Sequence, residues 1–226
     1  MTTNADIVIV GAGAAGIAAA RRLATSGLST MVLEATGRIG GRAWTCDVAG
    51  LHLDLGCGWL HSADRNPWTR VAEAAGFAVD RRTPAWGRQY RDLGFSQAEQ
   101  AAASQAFTDW RRRMMKTPPA SDCAADALEP AGEWNAYLQA MSGFLTGAGL
   151  ERISVVDYVA YEAASTGCNW RAPAGYGSLV AASLPRSIDL RLSTPVESIE
   201  LDSRAVVLAT PVGAVRARAP VAAPAP

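Results

Sequence analysis

Changes in the spacing of apolar residues mark the elements of this chain. Ile7-Val8-Ile9-Val10 is an unbroken apolar run, the pattern of a strand buried on both faces. It leads into Gly11-Ala12-Gly13-Ala14-Ala15-Gly16 and an alanine-rich segment, which predicts a strand over 6–10 and a helix over 14–25 closed near Gly27. A second apolar run, 30–34, ends on Glu34. Strand, helix and strand in that order predict the parallel, right-handed unit of a doubly wound α/β sheet.

Beyond this unit the pattern shortens and then turns helical. Extended pieces are expected over 43–47 and 51–55, and a helix over 67–75 between Pro67 and Gly76. Ser96 with Glu99 three residues on is a capping box, predicting a helix from 96 to 116 that Pro118-Pro119 stops. Arg111-Arg112-Arg113 near its end is better read as a solvated helix terminus than as an anion site. Further helices are expected over 133–146, 154–165 and 175–184, and strands over 189–192 and 195–201. The all-apolar run 205–209 reads as a buried parallel strand, and the alanine- and proline-rich 217–226 as irregular. The predicted organisation is a discontinuous nucleotide domain, 1–66 and 167–216, a mainly helical insertion over 67–166, and a tail.

The first loop carries readable chemistry. Gly11 permits the tight turn out of the strand, Gly13 allows close approach of a pyrophosphate, and Gly16 lets helix and sheet pack. The helix start offers free N–H groups and the positive end of its dipole to phosphate. Glu34 lies 23 residues past Gly11, near the ~20 expected of an acid that bonds a ribose hydroxyl. An acid there repels a 2′-phosphate and argues against NADP.

Composition narrows the partners. The 226 residues suffice for one large domain or two modest ones, and 21 basic against 21 acidic residues give no case for nucleic acid or an anionic membrane. Lys116 is the only lysine. Cys46, Cys57, Cys123 and Cys168 form no C-x-x-C pair and no metal spacing with His52 or His61, so four reduced, mostly buried thiols and no metal are expected. The longest uncharged stretch near the start, 7–20, is 14 residues, short of the ~20 that span a bilayer. A soluble, cytoplasmic protein is the expectation.

Taken together, the motifs resemble the flavin-dependent amine oxidase family, which includes monoamine, polyamine and L-amino-acid oxidases. The resemblance rests on Gly11–Gly16 with Glu34, on Arg38-Ile39-Gly40-Gly41-Arg42, on Asp54-Leu55-Gly56-Cys57-Gly58-Trp59, on Gly175-Tyr176-Gly177-Ser178-Leu179, and on Val196 followed by 206–211. It implies a Rossmann-like FAD-binding domain with an inserted, mainly helical substrate-side region, and oxidation of an amine C–N bond. Hydride passes to the flavin, the imine hydrolyses, and oxygen returns as hydrogen peroxide. It also implies that Gly11, Gly13, Ala14, Ala15, Gly16, Glu34, Ala35, Gly40, Gly41 and Arg42 hold the pyrophosphate and adenosine. Gly56, Cys57, Gly58 and Trp59 would run past the flavin ring, and Val196 would bond adenine through its main chain.

His61 is a candidate for contact with the amine substrate, with a structural hydrogen bond to backbone as the alternative. Tyr158, Tyr161 and Trp170 are candidates for an amine pocket or, individually, for core packing.

Family members continue for a long C-terminal portion that carries a lysine near the flavin. They also have further β-meander strands where Glu200–Arg204 here joins two strands directly, so the chain is expected to be internally shortened. Three functional readings follow: an FAD-binding subunit needing a second polypeptide or a homo-oligomer, a truncated inactive domain, or another FAD oxidoreductase such as a phytoene-type desaturase.

Overall fold

The structure, a computed structural model, describes residues 3–87, 94–202 and 205–222. Two compact units divide the chain: 1–83 with 168–226, and 84–167. The seam therefore falls later than the expected 67, and the helix opened by Pro67 belongs to the first unit. Residues 88–93 of the expected insertion, 203–204 of the expected strand connection and 223–226 of the expected tail lie outside the described residues.

In the first unit, strand β1 (Thr3–Val10) leads to helix α1 (Ala14–Leu23) and strand β2 (Thr30–Leu33). β3 (Thr45–Val48) and β4 (Leu51–Asp54) form an antiparallel hairpin outside the main sheet. Helix α2 (Pro67–Ala74) starts as its sequence dictates. Pro67 sits in the first turn, where no N–H is needed, and the Asn66 side chain accepts from the Trp68 N–H at 3.0 Å.

The second unit is built from α3 (Gln97–Lys116), α4 (Asn135–Thr146) and α5 (Val155–Ala164) around Trp110, Met114, Leu138, Leu150 and Val155. The Ser96–Glu99 capping box forms as expected. Trp110 donates from its indole N–H to the Ala124 carbonyl at 3.0 Å, which satisfies the one polar atom of a buried ring. Each of the three arginines at the end of α3 has an acidic partner: Arg111 with Glu162, Arg112 with Asp109 at 2.6 Å, and Arg113 with Glu129 at 3.3 Å.

The chain then returns to the first unit through α6 (Tyr176–Ala182) and strands β5 (Asp189–Arg191), β6 (Ser198–Asp202), β7 (Ala205–Thr210) and β8 (Gly213–Ala222). The main sheet has the order β5-β2-β1-β8-β7-β6. β5, β2, β1 and β8 run parallel, and β8-β7-β6 is an antiparallel meander. Val8, Met31, Leu33, Leu208 and Val215 form one core, while Ile9, Ala20 and Val32 form another with partly buried Leu23 and Ile188.

Two expectations are corrected here. Residues 217–222 are not an irregular tail; they belong to β8, which lies between β1 and β7. Residues 205–209 form an antiparallel strand, not a parallel one, with Val206 and Leu208 buried and Ala205, Val207 and Ala209 partly exposed. β6, β7 and β8 form a meander that delivers β8 to the side of β1.

Pro220 disguised the last strand. A proline removes a ladder hydrogen bond and argues against a central position. It pairs in register with Val8, but the β7 ladder reaches only the Val206–Ala217 pair, so on that side no bond is lost.

Candidate functional site

The two glycine motifs pack against each other. Gly11 takes φ +97°, a conformation closed to residues with a side chain, and turns the chain out of β1 into α1. A Cβ on Gly16 would sit 1.9 Å from the Gly11 carbonyl oxygen, so only glycine lets α1 come this close to its own strand. Gly13 and Gly40 form a parallel bridge, and the Gly40 N–H donates to the Ala12 carbonyl at 2.9 Å. A Cβ on Gly41 would lie 3.1 Å from the Gly13 Cα. Backbone meets backbone at this joint, and the N–H groups of Ala14, Ala15 and Gly16 start the helix beside it.

Glu34 is buried and already engaged. One carboxylate oxygen accepts from the Ala12 N–H at 2.8 Å, and the other from the Thr36 N–H at 2.8 Å and the Thr36 hydroxyl at 2.7 Å. Burial alone would raise its pKa. The donors at Thr36 and Ala12, with the Arg38 charge, outweigh burial and hold it below the ordinary carboxylate value. A carboxylate has about four acceptor positions, so one remains for an incoming hydroxyl. The first duty of Glu34 is to hold the glycine loop, which spacing alone did not reveal.

Two arginines flank this joint. The exposed Arg42 side chain makes no hydrogen bond or ion pair among the described residues. Arg38 lies over the Trp44 ring at 4.8 Å, and its Nη1 is buried without a hydrogen-bond partner among the described residues. Unsatisfied buried donors are uncommon and costly. Val196 follows a stretch tied to the end of β2, through Ser193 N–H to the Thr36 carbonyl at 2.9 Å and Thr194 N–H to the Glu34 carbonyl at 2.8 Å.

The Gly56–Trp59 turn sits directly on the second glycine motif. The Arg42 carbonyl accepts from the Cys57 N–H at 3.2 Å, and a Cβ on Gly56 would stand 1.9 Å from that same oxygen. The fourth motif meets the hairpin. Thr45 donates to Asp54 Oδ1 at 2.5 Å, while Asp54 accepts from the Tyr176 and Gly177 N–H groups at 3.0 and 3.3 Å. Thr45 also accepts from the Ser178 N–H at 3.1 Å. Thr45 and Asp54 thus cap α6, a role the sequence reading did not assign. The signal was there, since they are polar residues facing each other across a short hairpin.

His61 Nδ1 lies 2.7 Å from Asn169 Oδ1, brought there by the reciprocal Leu60–Trp170 bridge. Its partner is therefore a side chain, not the backbone anticipated as the alternative. The aromatic candidates are divided between the two units. Tyr158 packs edge-on against Trp110 at 5.4 Å in the second unit's core, Tyr161 is exposed, and Trp170 lies under Arg81 at 4.7 Å in the first unit.

The cysteines are all free, but none is fully buried, and Cys57 is exposed. Burial raises the Cys57 thiol pKa, as it pushes Tyr176 up to about 12, so neither ionises near neutral pH. Among the described residues no cluster of acidic, histidine or cysteine side chains has metal-binding geometry, and no helix is long and apolar enough to cross a membrane.

Known proteins resemble this chain in sequence and in fold. Residues 14–91 match the family described as flavin containing amine oxidoreductase. Over that segment the chain is similar to the flavin-containing amine oxidoreductases. A pseudooxynicotine dehydrogenase from a Pseudomonas species is 29% identical over 260 residues, covering 96% of this chain and 51% of that protein. A putrescine oxidase from Kocuria rosea is 40% identical over 77 residues, 34% of this chain and 16% of its own length. A putrescine oxidase solved with putrescine bound superposes with a TM-score of 0.69 at 20% identity, over 99% of this chain and 58% of that one. This places the α/β fold beside that enzyme. The chain spans about half the length of the relatives it matches end to end. FAD is the cofactor that goes with this family.

Proposed function

We propose that this chain provides the FAD-binding part of an amine oxidoreductase that acts on a C–N bond of a small amine. The observation that carries the reading is the joint between Gly13 and Gly41, with α1 starting at it and Arg42 beside it without a competing partner. A side chain on either glycine would fill the space a pyrophosphate needs. The buried, unsatisfied Nη1 of Arg38 marks the same region as short of one acceptor. These features fit an adenine dinucleotide.

In this reading, Ala14, Ala15 and Gly16 donate their N–H groups to the pyrophosphate, helped by the α1 dipole. Arg42 adds charge-assisted bonds. Glu34 uses its remaining acceptor position for a ribose hydroxyl, and its charge selects against a 2′-phosphate. Val196 meets adenine through its main chain. Gly56, Cys57, Gly58 and Trp59 run beside the flavin ring, and His61 faces the substrate with Asn169 fixing its ring. Bound FAD supplies the two-electron oxidation of the amine, after which the imine hydrolyses and oxygen yields peroxide. This chain binds, orients and shields. A second polypeptide supplies the rest of the pocket, and the protein works in the cytoplasm.

The test is a flavin titration of the purified chain, with flavin bands near stoichiometric occupancy expected in its visible spectrum. Arg42→Ala is expected to weaken FAD binding at least ten-fold at unchanged melting temperature. A colourless protein that titrates no FAD sinks the reading.

A further inference from the structure

The β3–β4 hairpin leaves its apolar face exposed. Its register pairs Thr45 with Asp54 and Asp47 with His52 on one face, and Cys46 with Leu53 and Val48 with Leu51 on the other. The Leu55 N–H donates to the Trp44 carbonyl at 2.8 Å, which carries the ladder one step further. Of the polar face, Thr45 and Asp54 turn inward and hold α6, while Asp47 and His52 face solvent. The apolar face turns out, with Leu51 63%, Leu55 57%, Val48 50%, Trp44 43% and Leu53 40% exposed.

A hairpin normally lays its apolar face on the core. This one has an alternating pattern that makes sense only if something apolar lies on its outer side. The patch is on the order of 400 Å², as large as the largest patch of a typical monomer, and such patches mark interaction sites.

We infer that the outer face of the β3–β4 hairpin is the seat of the part of the amine oxidoreductase fold that lies outside this chain. The inference rests on the function proposed above. Two observations select this occupant over a second copy of the chain. The pseudooxynicotine dehydrogenase accommodates 96% of this chain in 51% of its own length, so its fold contains about as much protein again. A face-to-face pair of hairpins would bury only about 800 Å² in all, below the ~1,200–2,000 Å² of stable interfaces. The side chains of the face are themselves uncharged, with Arg38 lying over Trp44 at its edge, so its occupant offers mainly aliphatic and aromatic side chains. The patch also runs on, through Leu55, into the Gly56–Trp59 turn, so its occupant would close the flavin-side wall as it docks.

The experiment co-expresses this chain with a surrogate, the half of the Pseudomonas pseudooxynicotine dehydrogenase outside the match, and reads the complex by light scattering and titration calorimetry. A one-to-one complex is expected. Leu51→Glu with Leu53→Glu is expected to weaken it at least ten-fold, and Val48→Lys, the milder change, by several-fold. Phe144→Glu, an equally drastic change on α4 at a side chain 80% exposed, is expected to leave it intact. Because all of these side chains face solvent, circular dichroism is expected to show each variant folded.

The inference is overturned by a complex that survives the Leu51→Glu/Leu53→Glu change, by no complex at all, or by a chain that dimerises through this face when alone. FAD titration of the same variants separates the two claims. Retained flavin with lost docking upholds both, whereas absent flavin in every form sinks the cofactor reading by itself.

Discussion

Gly16→Ala and Gly13→Ala separate the structural from the ligand-binding duty of the first glycine motif. At position 16 the new Cβ would stand 1.9 Å from the Gly11 carbonyl oxygen and 3.3 Å from Ile9 Cγ2, against ordinary contacts of 3.4 Å or more. Helix α1 must withdraw by about 1.5 Å from a sheet that compresses little. Its buried Ile17 and Ala20 go with it. Overpacking of this kind costs about 1–3 kcal/mol, and a backbone clash belongs at the upper end. Against that, alanine gains about 1 kcal/mol of helix propensity over glycine. The net loss is about 2 kcal/mol, or roughly 4–8 °C in the melting temperature of a domain this size.

At position 13 the Cβ would meet nothing nearer than the Gly41 Cα at 3.9 Å, an ordinary contact, and φ of −79° suits alanine. The weaker helix cap costs about 0.5–1 kcal/mol, and the stiffer unfolded chain returns a similar amount. Gly13→Ala is therefore expected to melt with the wild type yet bind FAD at least ten-fold more weakly, because the methyl occupies the approach to the pyrophosphate. Thermal unfolding by circular dichroism and fluorescence titration with FAD read the two effects. A Gly16→Ala protein as stable as wild type, or a Gly13→Ala protein with undiminished FAD affinity, would refute the argument.

Three more outcomes follow from the geometry. Because the Glu34 pKa is lower folded than unfolded, its contribution is complete above about pH 4.5 and is lost as the pH falls through the folded value. Glu34→Gln should accordingly flatten the acid limb of a pH–stability curve, and an unaltered limb would exclude that linkage. Asp54→Ala leaves the Tyr176 and Gly177 N–H groups without acceptors and should cost about 1–3 kcal/mol in chemical denaturation; no change would mean that α6 needs no such cap. Trp110→Phe removes the indole bond to Ala124 and should lower stability by about 1 kcal/mol, read as a smaller denaturation midpoint.

Much of this fold was legible because its signals are local. The β1–α1–β2 unit, the Pro67 helix start and the Ser96–Glu99 box each lie within a few residues of sequence and appear where expected. What escaped was non-local. Alanine and valine at the partly exposed positions of β7 carry no polar mark, so its period of two was invisible. Pro220 hid β8, since only the pairing shows that its missing N–H costs nothing there. At the site, glycine positions were readable from the motif, but the engagement of Glu34 by Ala12 and Thr36 was not. A carboxylate's spacing does not say which donors reach it first.

The placement of β8 has a consequence for biosynthesis. Among the strands described it is the last to leave the ribosome, yet it is the one that joins β5-β2-β1 to β7-β6. Until residues 213–222 emerge, a nascent chain holds two unjoined sheet fragments, each with an open inner edge. The exit tunnel therefore delays assembly of the nucleotide platform until synthesis of this region is complete, and a ribosome stalled before it would present those edges to chaperones.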